Sequence, residues 1–223
     1  MKISMVTGVW KRPEVFKMFA KGVHHLDVDI NVIVAGSEGD TSRKMVESEG
    51  FNYIEIANQP LATKMNATTL AAKGSDYVIC MGSDDVLSQE LLNHYIIWME
   101  KGYDFIGVQD FYFYDTKSGK SLYWGGYRDR RRFMHSAGAG RCISSDLMNR
   151  WKWQPWKVGD DDMLDNSMQG RIRGKQKILN IRELGVYALD IKSSTNMTPF
   201  KKWDNTTFFD SNIIKSKFHY IFD

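Results

Sequence analysis

Residues 76–85 read Asp-Tyr-Val-Ile-Cys-Met-Gly-Ser-Asp-Asp, and this segment is the most informative indication of the fold class. Its apolar part, 76–81, has the length and composition of a buried strand. The strand is followed by a glycine turn and two adjacent carboxylates. Hard oxygen ligands therefore stand at the carboxyl edge of a sheet, where open α/β folds bind their ligands. The alternative is that Asp84 or Asp85 caps the helix predicted to begin near Ser88.

Length and composition favour one domain. With 43% hydrophobic residues, the 223-residue chain can build one sizeable core and is too short for two enzyme domains, so we expect a single domain over 1–223. The longest apolar runs have strand length, and the amino terminus lacks a basic segment followed by an apolar one, so we expect neither a membrane span nor export. A cytoplasmic location follows, in the host cytoplasm if the source is viral.

Strand-sized and helix-sized segments alternate through the first hundred residues. The predicted strands are residues 2–8, 28–35, 51–56 and 76–81, and the predicted helices are 12–23, 41–49, 61–73 and 88–101. This alternation is typical of an α/β fold in which helices flank a mostly parallel central sheet. We therefore predict that residues 1–101 form the nucleotide-binding half.

The pattern changes in the second half, residues 102–223. Predicted strands 104–108, 110–115 and 121–124 are short, and a turn at 116–120 joins the last two as a hairpin. A short helix at 144–151, a helix to about residue 173, and a strand at 185–191 follow, before an irregular basic and aromatic tail. We expect a smaller antiparallel portion here, on the acceptor side of the same Rossmann-like domain.

Residues 61–85, LATKMNATTLAAKGSDYVICMGSDD, resemble the diphosphate- and metal-binding signature of family 2 glycosyltransferases with the GT-A fold. In that family an Asn-containing helix leads through a Gly turn into an apolar strand that ends in an Asp-x-Asp-like motif. The resemblance extends more weakly to Thr7, Arg12 and Pro13, and to Gly159-Asp160-Asp161 as the acidic acceptor-side motif. Within this family, the chain resembles the soluble, single-domain enzymes of the phage type.

The resemblance implies a transferase that moves a hexosyl or pentosyl group from a nucleotide-diphosphate sugar, with a UDP-sugar as the expected donor. A carboxylate-held Mg²⁺ or Mn²⁺ would neutralise the leaving diphosphate. The resemblance makes Asp85 the metal ligand, with Asp84 either completing the metal shell or facing the ribose. His219 is a candidate third ligand.

Seven further positions are expected to contact the donor, with Asp84: Thr7, Arg12, Ser37, Glu38, Lys64, Asn66 and Lys192. Three of these depart from the family pattern. Ser37 and Glu38 stand where relatives place paired acids that read the nucleobase. Lys64 stands one position before the place of a usual arginine, and its alternative interpretation is an exposed helix lysine.

The acidic run at 160–162 is expected to supply the general base. The matching motif selects Asp161, with Asp160 beside it, to take the proton of the acceptor hydroxyl. Neighbouring carboxylates repel one another, which raises the pKa of at least one of them. The resemblance implies inversion by single displacement, because the pattern offers a base and no protein nucleophile. The alternative is that this run only caps a helix.

The acceptor remains open between a saccharide and a hydroxymethylated base in DNA of the phage type. A basic cluster at 128–132 favours an anionic partner in a chain whose net charge is only +3, although a solvated basic face is the alternative. A different class of function is a non-catalytic module that binds nucleotides or nucleic acid.

Overall fold

A computed structural model describes residues 1–132, 134–159, 168–194, 196, 200 and 205–223. Twelve strands are found in these ranges: β1 Ile3–Gly8, β2 Ile30–Gly36, β3 Asn52–Glu55, β4 Tyr77–Cys80, β5 Asp85–Leu87, β6 Phe105–Val108, β7 Phe111–Asp115, β8 Ser121–Trp124, β9 Arg141–Ser144, β10 Gln176–Leu179, β11 Ala188–Lys192 and β12 Thr206–Phe209. The helices of the same ranges are α1 Pro13–His24, α2 Asp40–Glu47, α3 Leu61–Ala71, α4 Gln89–Glu100, α5 Ser145–Arg150, α6 Ile181–Leu184, α7 Ser211–Lys217 and α8 His219–Phe222.

The larger sheet has seven strands in the order β10-β6-β9-β4-β1-β2-β3. The pairs β1–β2, β1–β4, β2–β3 and β6–β10 are parallel, and β9 runs antiparallel to both of its neighbours. The predicted fold class is confirmed: the chain forms an α/β domain whose sheet is mixed but mostly parallel and is flanked by helices.

A second sheet of five strands has the order β12-β8-β7-β11-β5. Its pairs are antiparallel except β7–β11. The chain passes from the larger sheet to this one between Cys80, the end of β4, and Asp85, the start of β5. The two carboxylates therefore lie at the crossing between the sheets.

Close backbone packing holds this crossing against α1. A Cβ on Gly22 would lie 2.5 Å from Val86 Cγ1, so only glycine allows the helix to approach β5 this closely. The apolar face of α1 buries Phe16 and Phe19 in the same core that contains Val86. Packing of this kind fixes the entry to α1, where Arg12 stands, relative to the carboxylates.

Several short elements were not predicted from the sequence. Strands β5, β9, β10 and β12 have three or four residues each, and β9 follows a Gly-rich stretch in which no strand was expected. The tail expected to be irregular contains α7 and α8. A strand this short is stabilised mainly by its neighbours, so its own sequence carries a weak signal.

Candidate active site

The two carboxylates after β4 do not cap the following helix. Ser88 caps α4 instead, because its hydroxyl accepts a hydrogen bond from Leu91 N at 3.3 Å. Asp85 is the first residue of β5, with 5% exposure, and Asp84 stands just before it. The alternative interpretation of this pair as a helix cap is therefore wrong.

Asp84 and Asp85 converge over Gly82. A Cβ on Gly82 would overlap with Asp85 Oδ2 and would lie 2.5 Å from Asp84 Oδ1. Gly82 N also donates a hydrogen bond to Asp85 Oδ2 at 2.7 Å. Glycine is required here because any side chain would push the two carboxylates apart.

Asp84 is held by two donors on one of its oxygens. Arg12 Nη1 lies 2.8 Å from Asp84 Oδ2, and Asn196 Nδ2 donates to the same oxygen at 2.5 Å. Its backbone carbonyl accepts a hydrogen bond from Ile191 N at 2.7 Å. The other carboxylate oxygen, Oδ1, is the one that faces Gly82.

A third carboxylate, Asp190, joins this pair. The register of β5 and β11 places Asp190 directly opposite Asp85. Lys192 Nζ donates to Asp190 Oδ2 at 2.6 Å, whereas no residue in the described ranges forms a hydrogen bond with the buried Oδ1. The sequence signal was available: Asp190 and Lys192 alternate with apolar residues on a strand, where two inward-facing charges are unusual.

Burial dominates the electrostatics of this cluster. It raises the pKa of Asp190 to about 7, with the charge of Asp84 acting in the same direction and Lys192 opposing it. The pKa of Asp85 is also raised well above its usual range by burial and by the charges of Asp190 and Asp84. Negative charge here is costly, so a cation at this position would be favoured.

The carboxylate oxygens of this cluster are suitable ligands for a hard divalent cation. No three His, Cys, Asp or Glu side chains among the described residues form a ready-made metal site. Mg²⁺, however, is usually held by one or two carboxylates and completes its shell with water and substrate phosphates. The converging oxygens of Asp84 and Asp85 meet that requirement, and the unpartnered Asp190 Oδ1 adds negative charge nearby.

Lys64, which is expected to contact the donor, is buried rather than exposed. Its Nζ donates to Val9 O at 2.7 Å, to Asn58 Oδ1 at 3.0 Å and to Ser37 Oγ at 3.3 Å. Burial lowers the pKa of Lys64 to about 8. All three N–H groups have acceptors, so Lys64 ties together the loops after β1, β2 and β3 rather than extending toward a diphosphate.

Three other residues that are expected to contact the donor lie in or just after β1 and β2. Glu38 Oε2 accepts hydrogen bonds from Lys11 N at 2.9 Å and from Ser42 Oγ at 3.2 Å, which fixes this carboxylate in the loop after β2. Ser37 is bound by Lys64 as described. Thr7 is fully buried in β1, and its hydroxyl has no hydrogen-bond partner within the described ranges.

The structure assigns Asn66 to packing. Its Nδ2 donates to Trp156 O at 2.8 Å, and its Oδ1 accepts from Trp156 N at 3.1 Å. The amide thus pairs with the backbone of one residue and fastens α3 to the segment after α5. The expected contact between Asn66 and the donor is replaced by this structural role.

His219 is not brought to the carboxylates. Its ring lies 6.1 Å from the ring of His25, which follows the carboxyl end of α1. Arg12, which binds Asp84, precedes the amino end of the same helix. No group of three His, Cys, Asp or Glu side chains among the described residues could hold a metal ion, so His219 does not join Asp84 and Asp85 as a third ligand. The predicted bases, Asp160 and Asp161, lie outside the described residues.

Trp10 is not among the site residues predicted from the sequence. Its side chain is 46% exposed just beyond the end of β1. Lys11 Nζ lies 4.8 Å from the centroid of its ring. An exposed indole is unusual, and this one stands beside the loops that Lys64 organises. The signal was an aromatic residue immediately after a predicted strand that ends at the ligand-binding edge.

The fold is similar to the GT-A type of Rossmann-like architecture. S. aureus TarS, residues 1–349, matches with a TM-score of 0.63 at 12% identity over 86% of this chain and 60% of that one. The bifunctional IspDF of Campylobacter jejuni matches with a TM-score of 0.50 at 12% identity, over 81% of this chain and 50% of that one. A mycobacterial protein matches with a TM-score of 0.51 at 10% identity, over 88% and 68%.

These similarities concern the fold, and this chain spans less than two thirds of the TarS and IspDF structures. No family model matches the sequence, and no curated protein is similar to it. Within the described ranges, none of the helices has the length and apolar character needed to cross a membrane.

Proposed function

We propose that this protein is a glycosyltransferase that moves a sugar from a nucleotide-diphosphate sugar to an acceptor hydroxyl. The observation that carries the proposal is the convergence of Asp84 and Asp85 over Gly82 at the ligand-binding edge of a GT-A-like sheet. Two basic groups stand nearby: Arg12 contacts Asp84, and Lys192 contacts Asp190, which lies opposite Asp85. Carboxylates for a cation and cations for phosphate oxygens are together what a nucleotide diphosphate requires.

Asp84 and Asp85 would hold Mg²⁺ or Mn²⁺, which would neutralise charge on the leaving diphosphate. Arg12 keeps Asp84 oriented, and Lys192 offers a second positive charge to the phosphates. The base end of the donor would lie near Glu38 and Ser37, with the exposed Trp10 as a stacking face. A UDP-sugar remains the proposed donor.

The acceptor hydroxyl would be deprotonated by Asp161, with Asp160 beside it, as the acidic motif implies. Attack on the anomeric carbon breaks its bond to the diphosphate oxygen, the nucleoside diphosphate leaves, and the configuration inverts. The acceptor is a saccharide or a hydroxymethylated base in DNA. The competing proposal, a non-catalytic binding module, retains the same nucleotide contacts without the transfer.

The test is a panel of nucleotide sugars incubated with the protein and Mn²⁺, with release of nucleoside diphosphate as the readout. We expect slow hydrolysis of at least one donor, lost on chelation and reduced at least 100-fold in Asp85→Asn. Asp146→Asn, which changes an exposed carboxylate on α5, is the matched control and should retain the rate. Nucleotide binding without turnover of any donor would favour the binding module.

A further inference from the structure

One lateral row of side chains crosses the whole second sheet. The strand register runs, one residue per strand, through Asp85, Asp190, Phe113, Leu122 and Phe208. Residues directly opposite each other on neighbouring strands point to the same face of a sheet. The face that carries the carboxylates of the candidate active site therefore continues to Phe208 on the outer strand β12.

The outer end of this row is apolar and open. Phe208 is 81% exposed, whereas Phe113, two strands closer to the carboxylates, is 2% exposed. Leu122, between them, is half-buried. With strands about 4.8 Å apart, Phe208 lies about 14 Å from Asp190 along the row. A molecule that touches both ends must therefore be extended.

A basic segment lies beside the open end. The Tyr127 ring packs on Trp124, the last residue of β8, with centroids 4.8 Å apart, and Arg132 Cζ lies 3.6 Å from the Tyr127 ring centroid. Asn205 Nδ2, just before β12, donates to Gly126 O at 2.7 Å. These contacts fasten the segment to both outer strands. They hold the segment that carries the exposed arginines Arg128, Arg130 and Arg131 at the end of β8 and at the start of β12, the strand that carries Phe208.

We propose that this acceptor surface, formed by Leu122, Phe208, Arg128, Arg130 and Arg131, holds a single strand of nucleic acid. This inference rests on the proposed glycosyl transfer, because the bound strand would bring an acceptor hydroxyl to the carboxylates. An exposed phenyl ring offers a stacking face that every base can use. The exposed arginines match the negative charge of the phosphates.

A single strand fits this surface better than a duplex or a neutral saccharide. A base inside a duplex has no free face for Phe208, and enzymes that modify a base take it out of the stack. A neutral saccharide would leave the arginines without a partner of opposite charge. Stacking and charge together select a strand whose bases are accessible.

The test is fluorescence anisotropy with a labelled oligothymidylate, measured without donor at several salt concentrations. Phe208→Ala should weaken binding at least five-fold, as loss of one stacked base does, and Phe208→Trp should retain it. The double variant Arg130→Ala/Arg131→Ala should lower the slope of log K against log salt by about 1.4, at 0.7 per phosphate on single strands.

The controls remove equal charge or equal apolar exposure elsewhere. Lys17→Ala/Lys44→Ala takes two exposed cations from α1 and α2, and Ile97→Ala shortens a side chain on α4 that is 44% exposed. Both should leave the Kd and the salt slope unchanged. Circular dichroism checks that each variant is folded.

The inference is overturned if no binding is detected, if Phe208→Ala binds as tightly as the parent, or if polyphosphate competes as well as the oligonucleotide. Donor hydrolysis is measured separately and does not need this surface. Strand binding that depends on Phe208 without hydrolysis would keep the acceptor surface and reject the transferase. Donor hydrolysis together with unaltered strand binding in Phe208→Ala would keep the transferase and reject the acceptor surface.

Discussion

Asp85 and Asp190 lie directly opposite each other on the antiparallel strands β5 and β11, so two mostly buried carboxyl groups share one face of the second sheet. Burial raises the pKa of both groups. The charges of Asp190 and Asp84 raise the pKa of Asp85 further, the charge of Asp84 acts in the same direction on Asp190, and Lys192 offsets these effects only in part. The pair is a region of unfavourable negative charge at neutral pH.

Stability should fall as the pH rises from about 4 to about 7. In the unfolded chain an Asp titrates near pH 3.9, whereas Asp190 in the folded protein has a pKa of about 7. The folded state therefore binds more protons in this window, and its advantage is lost as the pH approaches 7. The upper limit of the effect is roughly 4 kcal/mol at 1.36 kcal/mol per pKa unit.

Thermal unfolding in metal-free buffers between pH 4.5 and pH 8 measures this trend. Asp190→Asn cannot titrate, so its midpoint should depend less on pH, even if loss of the partner of Lys192 lowers it overall. A midpoint that rises steadily through this range would contradict the assignment.

Divalent cations should reverse that loss. At pH 7.5 a cation between Asp84 and Asp85 relieves the repulsion, and a ligand at 100 times its Kd stabilises a protein by about 2.7 kcal/mol. We expect Mg²⁺ or Mn²⁺ to raise the unfolding midpoint at pH 7.5 and to have a smaller effect at pH 5, where protons compete. Asp85→Asn should lose the response and Asp146→Asn should retain it. An equal response in both variants would indicate non-specific ion binding.

Gly82→Ala should impair the site more than the fold. The added Cβ would overlap with both converging carboxylates, which must then separate. We expect metal-dependent stabilisation to disappear and donor hydrolysis to fall at least 10-fold. Far-UV circular dichroism should stay unchanged, because Gly82 lies in the short connection between the two sheets. Retention of metal binding would show that the carboxylates do not act together.

Lys64→Met should destabilise the protein and weaken nucleotide binding. The substitution leaves the buried Val9 O without its donor, which costs about 1–3 kcal/mol, and it removes the hydrogen bonds from Lys64 to the half-buried Asn58 and Ser37. Urea unfolding and titration with UDP measure the two effects. Lys73→Ala, an exposed lysine just after the same helix, should change stability by less than about 0.5 kcal/mol. Equal effects of Lys64→Met and Lys73→Ala would show that Lys64 behaves as an ordinary surface lysine.

Arg12→Lys should weaken donor binding more than it lowers stability. Arg12 reaches Asp84 Oδ2 at 2.8 Å, and a lysine cannot reproduce the planar guanidinium. With the orientation of Asp84 loosened, we expect a higher KM for the donor and a smaller change in kcat. Arg43→Lys, on the exposed face of α2, is the matched control. A change in kcat alone would argue that Arg12 acts on the transition state instead.

Much of the fold was predictable because its signals are local. The strands before Asp85 and the helices α1 to α4 follow from apolar spacing, a proline in the first turn of α1 and glycine turns. Strands such as β9 and β12 were not predicted, because they lie in segments whose sequence indicates a Gly-rich or irregular stretch, and they become strands only where a neighbour supplies the hydrogen bonds. The sequence therefore predicted residues 1–101 better than residues 102–223.

The candidate site divides in the same way. The amino-acid sequence shows which chemical groups are available: a buried strand, then a glycine and two carboxylates, with basic residues elsewhere in the chain. Their meeting in space depends on the folded chain. It brought Asp190 opposite Asp85, turned Asn66 toward Trp156 and left His219 at the far end of α1. The physical reason is that strand register and helix packing set side-chain positions across long separations in sequence, which no local pattern records.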